Sequence, residues 1–317
     1  MPKIFDVHAH YRGGFGGRPG VPPSERPQES PQERMDYHAL KLREAGVAKA
    51  CILARGGLGI TYEDAIKTME PHLDLVVPVA HLDPEPSSMT PERLSELHSM
   101  GYRGIKINNT ARDYDDPAYF PVYERAEELG MPILFHMGVT GGGLDYARTH
   151  PRRDPVAAEM YQRTIERLNN PPPPGQAQAG PFGGRRNMSA NRMRPFHLDT
   201  LSTNFPRLKL IGAHLGGTGS YDEAASVARW RHFVYFDLSG GEIIERHAYE
   251  RGYIGREIGV EKLVWGSDCP PDEIATHVKR LEVIFDLLNL KPDERDRIWY
   301  RNAAEIYGFE EPELAAP

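Results

Sequence analysis

The run Phe5-Asp6-Val7-His8-Ala9-His10 sets two imidazoles two residues apart. Alternate side chains of an extended strand share a face, so His8 and His10 can reach one cation together. Three more metal-capable side chains each end a short apolar run: His136 in Pro-Ile-Leu-Phe-His, His214 in Leu-Ile-Gly-Ala-His and Asp268 in Leu-Val-Trp-Gly-Ser-Asp. A lone His-x-His would carry little weight. Parallel strands in one sheet bring their C-terminal ends together, however, and four such endings are hard to explain by chance. Imidazole with carboxylate suits one zinc ion first and manganese second, ahead of calcium, which prefers all-oxygen shells. His8, His10, His136 and Asp268 would hold such an ion and leave room for one water. A divalent ion acidifies that water towards neutral pH, which makes the site catalytic rather than closed and structural.

Each remaining polar residue near a strand end has a functional reading and a plainer one. Asp268 can ligate the ion and take a proton from the water, or it can cap a helix ahead of Pro270-Pro271. His214, among Gly212, Gly216 and Gly217, is read as an acid or base beside the site, with the glycines allowing backbone to approach substrate. Asp6 shares the alternation of His8 and His10 and reads as a support for them or as a barrel-floor residue. In Arg103-Gly104-Ile105-Lys106-Ile107-Asn108 the isoleucines form one face and Lys106 with Asn108 the other, so the polar pair is expected to face inward. Lys106 there is either an anchor for an anionic substrate or a structural lysine paired with a carboxylate. Arg55 follows the second apolar run and can grip a carboxylate with its planar fork, or it is a surface residue. His81 ends the third run and is a lesser candidate for the pocket wall.

These positions need a scaffold that gathers strand ends. Eight apolar runs alternate with helical segments, the pattern of a parallel α/β protein. Strands are expected near 3–8, 50–54, 75–81, 103–108, 132–137, 208–214, 233–238 and 262–268. Helices are expected near 32–45, 60–70, 91–100, 117–130, 154–168, 220–231, 243–258 and 271–288. Thr90-Pro91 reads as a helix start, and Gly46, Gly101 and Gly130 stand where helices should stop. The fold class is therefore α/β, a TIM (β/α)8 barrel with long loop insertions, formed by residues 1–317 as a single domain. One or two short helices of the tail, from Lys291 to Gly308, should pack across the barrel, with fraying beyond Glu310.

Two segments break the rhythm. Residues 11–31 are rich in Gly, Pro and Arg, and residues 169–196 carry Asn-Asn-Pro-Pro-Pro-Pro-Gly and Gly-Gly-Arg-Arg-Asn. Such composition buries little apolar area, so 169–196 is either a surface insertion or a loop that covers the mouth. In the second case Arg185, Arg186, Arg192 and Arg194 would reach towards substrate or a partner subunit. The insertion follows the helix expected at 154–168, so it should leave from the bottom of the barrel.

A formal net charge of −7 offers no basic excess to displace phosphate counterions, which argues against a nucleic-acid partner and for a small molecule, one that Lys106 and Arg55 would suit if it is anionic. The two cysteines, Cys51 and Cys269, make no framework and no Cys-rich zinc site, in keeping with a reduced, cytoplasmic setting. No stretch approaches the roughly 20 apolar residues needed to span a bilayer.

Asp-Val-His-Ala-His on the first strand, Gly-Ile-Lys-Ile on the fourth, His136 on the fifth, Gly-Ala-His-Leu-Gly-Gly on the sixth and Trp-Gly-Ser-Asp-Cys-Pro on the eighth together resemble the amidohydrolase superfamily. More narrowly, the chain is similar to the amidohydrolase-related branch that holds aminocarboxymuconate-semialdehyde decarboxylase, resorcylate-type decarboxylases and assorted lactone and carbon–carbon hydrolases. The resemblance implies a mononuclear divalent metal on His8, His10, His136 and Asp268, with His214 in catalysis, and a homodimer. It adds a third reading of Lys106, a carbamylated bridge between two metals. The expected activity is hydrolysis of a small carboxylated amide, lactone or carbonyl compound, with Asp268 accepting a proton and His214 polarising the carbonyl or protonating the leaving group. The Gly-Ile-Lys-Ile strand and the glycine-rich loop 138–143 favour this over the alternative, non-oxidative decarboxylation of an aromatic or muconate-like acid on the same metal.

Overall fold

The apolar runs become strands because their β-branched and aromatic residues fit a pleated surface that is buried on both faces. In the computed structural model, which describes residues 2–11, 29–55, 60–82, 89–139, 162, 165–166, 169–170 and 189–309, eight parallel strands follow one another in sequence order. They are β1 (Ile4–His10), β2 (Val47–Ala54), β3 (Val76–His81), β4 (Gly104–Ile107), β5 (Ile133–Phe135), β6 (Leu210–Gly212), β7 (Val234–Asp237) and β8 (Leu263–Val264). The ring closes where Val7 donates to the Trp265 carbonyl at 3.0 Å and Asp268 donates to the His8 carbonyl at 2.8 Å. The fold is a TIM-type (β/α)8 barrel.

Most of the expected helices form: α1 (Pro31–Glu44), α2 (Tyr62–Met69), α3 (Pro91–Met100) and α4 (Phe120–Leu129). Thr90 accepts from the Arg93 amide at 3.2 Å to start α3, and Gly101 and Gly130 stop α3 and α4 at φ of 108° and 64°. One helix was not expected, α5 (Pro195–Asn204), which buries Leu198 and Leu201 and packs on β6. Beyond it come α6 (Tyr221–Trp230), α7 (Glu242–Glu250), α8 (Ile274–Leu287), α9 (Pro292–Asp296) and α10 (Asn302–Tyr307). Of the helix expected at 154–168, only Gln162, Ile165 and Glu166 are described, and these are helical. The rest of it, residues 12–28 of the first loop, residues 171–188 of the insertion and the tail past 309 lie outside the described residues.

Strand alternation sorts the apolar residues into two bodies. One lies between sheet and helices and includes Ile105, Ile107, Ile133 and Leu210 with Leu94, Leu97 and Leu198. The other fills the barrel with Phe5, Val7, Leu53, Val79, Leu134 and Ile211, and Tyr300, Ala303, Ala304 and Ile306 of the tail join it. The tail helices thus plug the floor, as their apolar face predicts.

The pairing of β1 with β2 shifts register twice, between Ile4 and Phe5 and again after Asp6, and the second shift bears on the site. Asp6 pairs with Ala50 and Ala9 with Ile52, so β1 carries one residue more than β2 across this interval, a bulge. Val7 therefore belongs to the interior apolar body although His8, the next residue, lines the mouth. Asp6, expected on the histidine face, instead accepts the backbone N–H groups of His8 and Ser267, each at 2.9 Å, and so ties β1 to β8 where the regular ladder is broken.

Candidate metal centre and active site

The C-terminal ends of the strands open into a cavity of about 350 Å³, a size suited to a small molecule. His8, His10, Lys106, Asn108, His136, His214 and Asp268, all singled out by sequence, line it. Backbone strain collects at the same rim. Asn109, His214, Leu215 and Asp268 hold positive φ of 52°, 57°, 53° and 40°, and only Asn289 does so elsewhere among the described non-glycine residues.

His8, His10 and Asp268 form a group able to hold one ion, with their ligating atoms all within 4.8 Å of one another. Asp268 Oδ1 lies 3.1 Å from His10 Nε2 and 3.8 Å from His8 Nε2. His136, the fourth expected ligand, lines the cavity but stands outside that group. Its Nε2 is buried with no hydrogen-bond partner among the described residues, a bare imidazole nitrogen of the kind a cation would satisfy. The donor set therefore fits a divalent ion of the zinc or manganese type.

Burial and charge set the protonation states. Burial, reinforced by the Lys106 ammonium, lowers His8 to about 4, and burial also lowers His136 and His214, so all three rings are neutral at pH 7. Burial opposes the charge on Asp268, but His8, His10 and His214 around it outweigh that and hold its carboxyl well below the usual carboxylate range. Neutral imidazoles and an ionised carboxylate are the forms that bind metal.

Asp237, at the end of β7, was not anticipated. It is fully buried, its Oδ2 accepts from His8 Nδ1 at 2.8 Å, and its Oδ1 accepts the backbone N–H of His214 at 2.8 Å. Ser239 Oγ sits 2.9 Å from His214 Nδ1 and 2.5 Å from Asp237 Oδ1. Asp237 ends the strand expected at 233–238 just as Asp268 ends its own, so the strand-end rule already contained the signal. Gly266 clears the space: a Cβ there would lie 2.5 Å from that of His8.

Lys106 is 1% exposed, with Nζ 3.2 Å from His8 Nε2, and burial brings it down to about 8. Asn108 presents a buried, unpartnered Oδ1 and lines the cavity. Arg55 stands partly buried just beyond β2, where its charge reaches His81, but it is not among the described residues lining the cavity. His81 is buried beside His10, ring centroids 6.1 Å apart. Gly217 serves packing between loops as well as the cavity wall, since a Cβ there would come within 2.6 Å of the Gly138 backbone.

The described end of the insertion, residues 189–194, returns on the mouth side of the barrel. Gly138, just past β5, donates to the Met193 carbonyl at 2.9 Å, and α5 follows from Pro195, so the excursion from 139 to 192 begins and ends on the mouth side. Helix α5, between β5 and β6, follows the insertion in the chain. Arg194 is engaged with Glu223 of α6, and Arg185 and Arg186 lie outside the described residues.

The chain is a (β/α)8 barrel with a His-x-His pair and a carboxylate converging at its mouth, a cluster that could hold a metal ion. The amidohydrolase family model matches residues 5–309, nearly the whole chain, and the protein belongs to that family. No curated protein matches the sequence. Among solved structures the chain is similar to a putative 2-pyrone-4,6-dicarboxylic acid hydrolase from Pseudomonas putida, at 17% identity and TM-score 0.61 over 98% of this chain and 100% of that one. It is also similar to 5-carboxyvanillate decarboxylase from Sphingomonas paucimobilis (17%, TM-score 0.56, 97% and 99% covered). A third is 2,6-dihydroxybenzoate decarboxylase from Rhizobium (15%, TM-score 0.55, 97% and 99% covered). At these identities the three share the fold.

Proposed function

We propose that the protein is a metal-dependent hydrolase of a small carboxylated amide, lactone or carbonyl compound. The observation that carries this reading is the convergence of His8, His10 and Asp268 in one cavity with the buried Lys106 ammonium. His8, His10, His136 and Asp268 would hold one divalent ion, zinc ahead of manganese. When bound, the ion supplies Lewis acidity and lowers the pKa of a water towards neutrality. Asp268, ionised and 24% exposed, would be placed to take up a proton at its carboxylate. His214 polarises the substrate carbonyl or returns a proton to the leaving group. Lys106 and Asn108 anchor the substrate carboxylate, with Arg55 as an outer contact from the rim, and the cavity limits that substrate to a small molecule.

A second reading, non-oxidative decarboxylation of an aromatic or muconate-like acid, is favoured by the same Lys106, because an ammonium beside His8 suits a carboxylate held near the ion. The names of the similar structures divide the same way, one for hydrolysis of a dicarboxylic acid and two for decarboxylation. The full reading is one catalytic unit over the whole chain, a homodimer working in the cytoplasm with neither nucleic acid nor membrane as partner. Among the described residues no helix is long and apolar enough to cross a membrane.

The deciding assay supplies zinc- or manganese-loaded protein with lactones of dicarboxylic acids and with aromatic carboxylic acids in 18O-labelled water. Label in the product carboxylate supports hydrolysis, and CO2 release without label supports the lyase. Turnover of such compounds that is indifferent to chelation would overturn both.

A further inference from the structure

Counting hydrogens through the buried network at the mouth leads beyond the ligand set. Asp237 is a carboxylate and can only accept. His8 Nδ1, 2.8 Å from its Oδ2, must therefore carry the hydrogen, which leaves His8 Nε2 without one, a lone pair that faces the Lys106 ammonium at 3.2 Å. Oδ1 of Asp237 accepts three times, from the backbone N–H of His214 at 2.8 Å, from that of Ser239 at 3.0 Å and from the Ser239 hydroxyl at 2.5 Å. A hydroxyl has one hydrogen, and that contact uses it. The 2.9 Å contact between Ser239 Oγ and His214 Nδ1 must then run from the ring to the oxygen. His214, neutral and carrying its hydrogen on Nδ1, offers a bare Nε2. His136 Nδ1 stands 3.2 Å from it and so must donate. The last nitrogen in the chain, His136 Nε2, is left without a hydrogen, and it is the buried atom that has no partner.

We propose that Asp237 is a positioning residue which, directly for His8 and through Ser239 and His214 for His136, fixes the tautomers that leave Nε2 of these two ligand imidazoles without a hydrogen. Reversing any single link would set two hydrogens or two lone pairs against each other in a buried site. The backbone is shaped around the relay as well. Gly240, at φ 96°, has room for no side chain, because a Cβ would meet Ile244 at 2.9 Å and His214 Nδ1 at 3.1 Å. His214 on this account has two tasks, proton transfer in turnover and orientation of His136 at rest. The inference rests on the metal reading above for its purpose but not for its geometry.

The test uses two-bond 1H–15N correlation of the imidazoles in full-length, metal-free, 15N-histidine-labelled protein, assigned with single histidine variants, followed by zinc titration against a competing chelator. The expected result in the unaltered protein is Nδ1–H with unprotonated Nε2 for His8, His136 and His214. Ser239→Ala should return His214 and His136 to mixed or Nε2–H tautomers while His8, still held by Asp237, keeps its own. Its zinc dissociation constant should rise roughly tenfold to a hundredfold, the usual effect of losing a partner that orients a ligand. An Nε2–H tautomer for His136 in the unaltered protein overturns the proposal whether or not the variant folds. Unchanged His136 and His214 signals in folded Ser239→Ala overturn it too. The three expected tautomers in a protein that takes up no zinc would support the relay and overturn the metal reading instead.

Discussion

The floor and the mouth of the barrel hang on the same eight strands and bury opposite kinds of group. At the floor Phe5 packs on Tyr300, Tyr307 and Phe309 with ring centroids 6.0, 5.6 and 5.7 Å away, and such burial stabilises by about 25 cal/mol per Å² of apolar surface. At the mouth Lys106, His8 and Asp237 are equally buried, but removing charge and polarity from water is unfavourable and is offset by the hydrogen bonds they make to one another and to His214 and Ser239. The floor holds the barrel together, whereas the mouth is a polar site that the barrel carries. Substitutions at the two ends should therefore separate stability from activity.

The largest effect is expected at Asp268. Asp268→Ala removes a metal ligand and the proton acceptor together, so bound metal should be lost and kcat/KM should fall by more than about 10⁴-fold, the upper end for one lost general base. Metal analysis and steady-state kinetics on one preparation check this. His214→Ala comes next. With zinc saturating, its metal content should stay near normal while kcat drops by roughly 10²–10⁴-fold, and loss of metal in step with activity would make His214 a ligand instead.

Phe5→Ala should act on the other quantity. It opens a cavity under the plug and should cost about 3–5 kcal/mol in denaturant unfolding, with kcat per folded molecule unchanged. The smallest effect falls on Lys106→Met, which replaces a buried ammonium by an apolar chain of similar length. KM for a carboxylate substrate should rise roughly tenfold to a hundredfold, since a hydrogen bond to a charged group is worth about 1.5–3 kcal/mol, while Tm holds or rises. A Tm several degrees lower would mean that Lys106 stabilises the barrel, and the contrast between mouth and floor would fail there.

Much of this arrangement is legible in the sequence because strand periodicity and strand endings are local. Ile105 and Ile107 facing the helices and Lys106 facing the cavity follow from alternation alone. His8, His10 and Asp268 follow from the rule that parallel strands share one end. What escaped depends on contacts between distant segments. The bulge after Asp6 shows only when β1 is laid against β2, and there Asp6 both holds the His8 backbone and ties β1 to β8. Asp237 and Ser239 matter through His8 and His214, residues far away in the chain. Helix α5 lies behind a Pro- and Gly-rich stretch that obscures it, although Leu198, Leu201 and Phe205 stand at helical spacing.

Zinc K-edge X-ray absorption on the purified protein, with metal content and activity followed through chelation and zinc return, tests the central claim most directly. The account predicts one zinc per chain bound by nitrogen and oxygen ligands at about 2.0–2.2 Å, activity that disappears with the metal and activity that comes back with it. A metal-free protein that keeps its full turnover would contradict it.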